Sequence, residues 1–246
     1  GGVDITVADC HGNVSTFATG VSGPSGLATD GTYLYVSDDG PGYIYRFDSS
    51  GSATTLTPTT LGNPNAIAVD QSGRVLVADT NDGLLRRLTV DSAANVTDDE
   101  LIADFSIITS IVGVAVDSNG DVLFADEMGQ IYKITTSMSL PVTLATPGLA
   151  LGVGVVVSGN IGHLVLDASD NIYLGDFNAR IVRVNAAGTD ARDVVDVSST
   201  TPCDSSQTGV GGDQPAFRGF AIDSSGDLYV SGYCLDNVYR FSQSDL

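Results

Sequence analysis

The chain has 246 residues, 42% hydrophobic and 16% charged, a profile that excludes a disordered polymer and fits one well-buried domain. Ten basic residues against 30 acidic ones give a net charge of −20, a field that repels phosphate backbones and anionic lipid surfaces and so excludes nucleic acid as an expected partner. No apolar run reaches the length of ~18 residues that a membrane-spanning helix needs, and Gly1 opens the chain without the basic-then-apolar pattern of a signal peptide, which leaves secretion open.

One lysine (Lys133) and two glutamates (Glu100, Glu127) occur, so the acidity is almost all aspartate, mostly beside Gly, Ser or Asn. Aspartate in that company makes turns, because its short carboxylate caps its own backbone. Helix formers are scarce while Val, Thr, Ser, Gly and Tyr abound, which is an all-β composition.

In chain order, residues 4–20 (DITVADCHGNVSTFATG) read as an alternating strand, a Gly hairpin and a second strand. Five units then repeat one pattern of a small and apolar strand ending in Asp, a Gly- or Asn-bearing turn, an apolar strand and a polar hairpin: 26–38, 66–79, 113–126, 163–176 and 219–232. An alternating third strand follows each: YIYRFD, LLRRLTV, QIYKIT, RIVRVN and NVYRFS. The first Asp of each unit falls at 30, 70, 117, 167 and 223, and a second Asp follows in four of them (Asp38, Asp79, Asp126, Asp176). Two stretches break the pattern. Residues 89–106 read as an acidic, solvated insertion. Residues 148–160 (GLALGVGVVVSGN) are apolar, Gly-rich and uncharged, and must either pack between the third and fourth units or form a contact surface.

These units resemble NHL repeats, whose propeller relatives include SMP-30/gluconolactonase-like and virginiamycin-lyase-like proteins. The resemblance spans nearly the whole chain and implies a single all-β domain over 1–246, a β-propeller of four-stranded blades. Five first-strand segments imply five blades, with six as the alternative, and a ring closed by N- and C-terminal strands. The C-terminal unit lacks one strand while the N-terminus offers two, so one is surplus.

Propeller relatives of the lactonase type hold a divalent cation with a Glu and Asn and Asp partners at the central channel. Positions at the entrance of the first strands are therefore the candidates for binding: Asn65, Ser110, His163 and Arg218, with Ser25 and Asn63 beside them. No Glu is among them, and the two histidines, His11 and His163, lie in separate units, too few for a zinc site. The turns DSNGD (117–121), DSSGD (223–227) and DASDN (167–171) look like the opening of a calcium loop but lack its late bidentate carboxylate, so they read as structural turns. No cofactor is expected; calcium is the one candidate, and no metal ligand is assigned.

In a propeller, Cys203 precedes the fifth blade and Cys234 occupies its second hairpin on the same face, so these two are expected to form a disulfide and Cys10 to be left over. Asn13-Val-Ser and Asn95-Val-Thr are N-glycosylation sequons. The combined expectation is a non-catalytic extracellular or cell-surface propeller acting as a binding or structural scaffold. Its partner would be a protein or a further copy of itself, joined through the terminal strands into a filament. The alternative is a metal-dependent lactonase or lyase with its site at the channel.

Overall fold

The structure, a computed structural model, describes residues 3–8, 14–56, 61–104, 111–126, 131–135, 142–143, 161–176, 180–188, 190–196, 216–233 and 237–246. All regular elements among them are strands, apart from one 3₁₀ turn at Gln243–Asp245. No helix among the described residues is long and apolar enough to cross a membrane, a statement that does not extend to β-barrels. The strands form the blades of a β-propeller, five in number, as the repeat implied. The chain divides into two compact units, Gly1–Ile111 with Ser139–Leu144, and Val112–Met138 with Ala145–Leu246.

The first unit opens with β1 (Val3–Ala8) and β2 (Val14–Val21), which pair antiparallel as a two-stranded sheet of their own. The surplus N-terminal strand is thus the hairpin partner of its neighbour. The first blade follows as β3 (Pro24–Thr29), β4 (Leu34–Asp38), β5 (Tyr43–Phe47) and β6 (Ala53–Thr55), each hydrogen-bonded to the next. The second blade contains β7 (Pro64–Val69), β8 (Val75–Asp79), β9 (Leu84–Val90) and β10 (Val96–Asp104), with β14 (Val142–Thr143) added parallel to β10 as a fifth strand. In the second unit, β11 (Ile111–Val116), β12 (Val122–Asp126) and β13 (Ile131–Ile134) make a three-stranded sheet. A four-stranded blade follows, β15 (Ile161–Leu166) to β16 (Ile172–Asp176), β17 (Arg180–Val184) and β18 (Ala191–Asp196). The last sheet is β19 (Ala216–Ile222), β20 (Leu228–Tyr233) and β21 (Asn237–Phe241).

The second strand of a blade is covered on both faces, which explains its near-continuous apolar run. Val75, Leu76, Val77 and Ala78 of β8 are all fully buried. At ~1.5–3 kcal/mol for each large aliphatic side chain removed from water, strands of this kind dominate the hydrophobic stabilisation. Between the first two blades, Tyr35 and Ile44 pack with Ile67, Val75, Val77 and Leu88. In the second unit, Leu123, Ala125 and Ile131 pack with Leu164, Leu174 and Val182. The N-terminal hairpin joins the first unit's core through Ala18 and Val21, which lie against Val36 and Phe47.

Residues 89–106 differ from the expected solvated insertion. Half of the stretch is β10, which pairs antiparallel with β9, and its Ile102 and Ala103 are fully buried. The three consecutive acids Asp98, Asp99 and Glu100 lie on its outward, partly exposed portion, where Arg86 donates to Asp99 and Arg87 to Glu100. Cross-strand charge pairing lets an acidic run serve as the outer strand of a blade.

The tip of this β9–β10 hairpin is tied to the first blade by Arg46 of β5. Its guanidinium lies 4.3 Å from the centre of the Tyr33 ring and donates to the carbonyls of Asp91 and Ser92, at 2.8 Å each.

Candidate functional site

The first aspartate of every unit builds the same turn. Its Oδ1 accepts two backbone N–H groups: Thr32 and Tyr33 at Asp30, Ser72 and Arg74 at Asp70, Asn119 and Asp121 at Asp117, Ser169 and Asn171 at Asp167, Ser225 and Asp227 at Asp223. The calcium-like spacing therefore serves backbone capping, as the structural reading of these turns required. Four of the five turns hold a glycine in the left-handed conformation (Gly31, Gly73, Gly120 and Gly226); in the remaining one Asp170 takes that conformation at φ 60°. Its carboxylate accepts the Ser118 amide at 2.9 Å and the Ser118 hydroxyl at 2.6 Å, linking two neighbouring turns of the second unit.

The remaining carboxylate oxygens meet a feature that sequence reading passed over. The third strand of each unit carries a basic residue at one register position, opposite a fixed partner on the second strand: Tyr35–Arg46, Leu76–Arg87, Leu123–Lys133, Tyr173–Arg183 and Tyr229–Arg240. Five of the chain's ten basic residues occupy this position. Lys133 lies 2.7 Å from Asp117 and 3.1 Å from Asp121, Arg87 lies 3.7 Å from Asp70, and Arg240 pairs with Asp227. In the Tyr-bearing units the phenol hydroxyls of Tyr35, Tyr173 and Tyr229 donate to the turn aspartates Asp30, Asp167 and Asp223.

Burial pushes the Asp117 carboxyl up, but the Lys133 ammonium and the Asp121 and Asn119 N–H groups outweigh it and hold the group below the ordinary carboxylate range. Asp30 is lowered in the same way: burial opposes, and the Tyr33 and Thr32 amides with the Tyr35 hydroxyl prevail. Tyr35 and Tyr132 are pushed up to about 12, by burial first and then by Asp30 and Asp126 respectively. The two depressed carboxylates contribute stability that is complete above their unfolded values of ~4 and is lost as pH falls through the lower folded values. The raised phenols contribute stability that is complete below ~10 and is lost as pH rises through their folded values. Thermal unfolding followed by circular dichroism is therefore expected to give a plateau through neutral pH, with the melting temperature falling below about pH 4 and above about pH 10. A melting temperature that continued to rise below pH 4 would contradict the assignment.

The second aspartates anchor the entry to their own blade. Asp38 accepts the Ser22 and Gly23 amides, and Asp79 the Gly62 and Asn63 amides, all at 2.8 Å. Asp126 accepts the Tyr132 hydroxyl at 2.9 Å, and the Tyr132 ring stacks on Phe124.

At the entrance of the first strands, Ser25 and Asn65 occupy equivalent positions on β3 and β7, and the Ser25 hydroxyl donates to Asn65 Oδ1 at 2.6 Å. The Asn65 carbonyl accepts the Ser37 hydroxyl at 2.9 Å. In the second unit, His163 lies on β15 and Arg218 on β19, two first strands that pack together. Ser110, His11, Cys10, Cys203, Cys234 and the 148–160 stretch lie outside the described residues, as does Asn13. Among the described residues no group of three or more His, Cys, Asp or Glu is placed to hold a metal ion.

The NHL repeat family matches residues 61–88, which span β7, β8 and most of β9. No curated protein sequence matches the chain. Among solved structures, a nidogen/laminin complex aligns over 94% of this chain and 80% of its own, with 18% identity and a TM-score of 0.67. A catalytically inactive virginiamycin B lyase from Staphylococcus aureus with quinupristin aligns over 97% and 73%, with 13% identity and a TM-score of 0.59. A streptogramin B lyase aligns over 90% and 69%, with 13% identity and a TM-score of 0.57. One fold thus serves an assembling protein and two lyases, and at these identities the likeness concerns the fold. The five repeated units with their Asp-capped turns make this chain a β-propeller, and one stretch of it, residues 61–88, matches the NHL repeat.

Proposed function

We propose that the chain is a non-catalytic extracellular β-propeller that serves as a binding or structural scaffold and associates with further copies of itself through its terminal strands. The observation that carries this reading is the use of the ionisable groups. In the described turns the aspartates cap backbone N–H groups, and the third-strand basic residues of three units pair with turn aspartates, so that chemistry-bearing side chains are committed to holding the blades. The likeness to nidogen in its complex with laminin supports an assembling role. Ligand contact is assigned to the entrance of the first strands, Asn65 beside Ser25 in one unit and His163 and Arg218 in the other, each unit taken by itself.

The β1 strand, VDITVA, is short, contains a single charge and has one pairing partner among the described residues, β2, so its other edge is the one offered for strand addition. Sedimentation of the intact chain across a concentration series is expected to show species heavier than the 25.3 kDa monomer, and removal of residues 1–8 is expected to abolish them. An intact chain that stays monomeric at high concentration removes the self-association. Turnover of a lactone or a cyclic depsipeptide in the presence of a divalent cation removes the non-catalytic reading and favours the lyase-like alternative that the second structural likeness raises.

A further inference from the structure

We propose that Asn95 is an acceptor for an N-linked glycan. The proposal rests on the extracellular reading for its biological setting and on the β9–β10 hairpin tip for its chemistry. Asn95 closes the turn that runs from Asp91, and both Asn95 and the sequon hydroxyl residue Thr97 are exposed. The turn is held from beneath. Ala94 adopts φ 67° and is buried, the Asp91 carboxylate accepts the Ala93 and Asn95 amides, and Arg46 grips the Asp91 and Ser92 carbonyls. A rigid tip thus presents the Asn95 side chain to solvent.

The side-chain nitrogen donates to Asp91 Oδ2 at 3.0 Å. A carboxamide nitrogen carries two hydrogens, so one remains after a sugar replaces the other, and the backbone bonds that hold the turn, from the Ala93 and Asn95 amides to Asp91, do not involve the modified atom. The donor is a lipid-pyrophosphate-linked oligosaccharide. The bond from Nδ2 to the sugar C1 forms as the bond from C1 to the pyrophosphate oxygen breaks; the amide gives up one proton and the lipid pyrophosphate departs with the electron pair. No oxidant or reductant is involved. The glycan would stand beside the acidic edge of β10, enlarging the polar cover of the blade's outer strand.

The test uses the full chain, secreted from a eukaryotic cell behind an added signal peptide, with a known glycoprotein co-expressed to report the competence of the host. The amidase that releases N-linked glycans converts the occupied asparagine to aspartate, and peptide mapping then reads the change at residue 95. Conversion at Asn95 in the parent chain is expected, with its loss in Asn95→Gln and in Thr97→Ala, the second of which leaves the asparagine and its bond to Asp91 intact. A secreted chain whose Asn95 is unconverted while the co-expressed glycoprotein is modified overturns the proposal, as does modification confined to Asn13. Failure of the extracellular reading would appear separately, as retention of the chain within its native cells.

Discussion

A Gly42→Ala chain is expected to be less stable than its parent by about 3 kcal/mol, which for a chain of this size lowers the melting temperature by roughly 6–12 °C. Gly42 has φ 75°, in the left-handed region that an L side chain occupies at a cost. Space makes the position harder still. A Cβ at Gly42 would lie 2.1 Å from the carbonyl oxygen of Leu61, a backbone atom that cannot swing aside as a flexible side chain would. The approach is enforced by the Leu61 amide, which donates to the Gly42 carbonyl at 3.2 Å, and by the Gly42 amide, which donates to Asp38. Gly31 supplies the control. It has φ 86° with open space around its missing side chain, so Gly31→Ala isolates the conformational penalty, about 1 kcal/mol. Equal melting temperatures for the two variants would show that the Gly42–Leu61 contact does not constrain the chain.

Asp79→Ala is expected to cost a similar amount, about 3 kcal/mol, by stranding two donors at once. The carboxylate is 1% exposed and accepts the Gly62 and Asn63 amides, each at 2.8 Å. Removing it leaves both N–H groups facing a space vacated by a charged acceptor, at the point where the chain enters β7. Asp79→Asn keeps one carbonyl oxygen and offers an amide that cannot accept, so its loss should be about half as large. Urea unfolding reads both. An Asn variant as unstable as the Ala variant would show that charge, more than the count of acceptors, holds this entry.

The blades were legible because their signals are local. A first strand ending in Asp, a turn of two to three residues and an apolar second strand all lie within about 14 consecutive residues of each unit, and neighbouring side chains suffice to specify them. The outer strand β10 was misjudged because three successive acids outweighed Ile102 and Ala103, and only the partners Arg86 and Arg87 on β9 show why those acids are tolerated. The basic register position was visible in the aligned third strands but is interpretable only with the turn aspartates in place. Of the candidate binding residues, Asn65 and Ser25 meet although 40 positions separate them, a contact created by two first strands lying side by side. A strand pattern specifies which face a residue occupies and leaves its neighbour in the next sheet to the packing of the sheets.

The register position of the basic residues bears on how the chain is degraded. Proteases that cut after Lys or Arg need an extended segment free to enter their cleft, and half of such residues here lie in the middle of a third strand, hydrogen-bonded to the second strand, with Arg46 only 8% exposed. To cut at those positions an enzyme must first peel a blade open, so cleavage there waits on unfolding. An acidic propeller that keeps half of its cleavable residues in its own pleats offers such enzymes fewer sites while it stays folded.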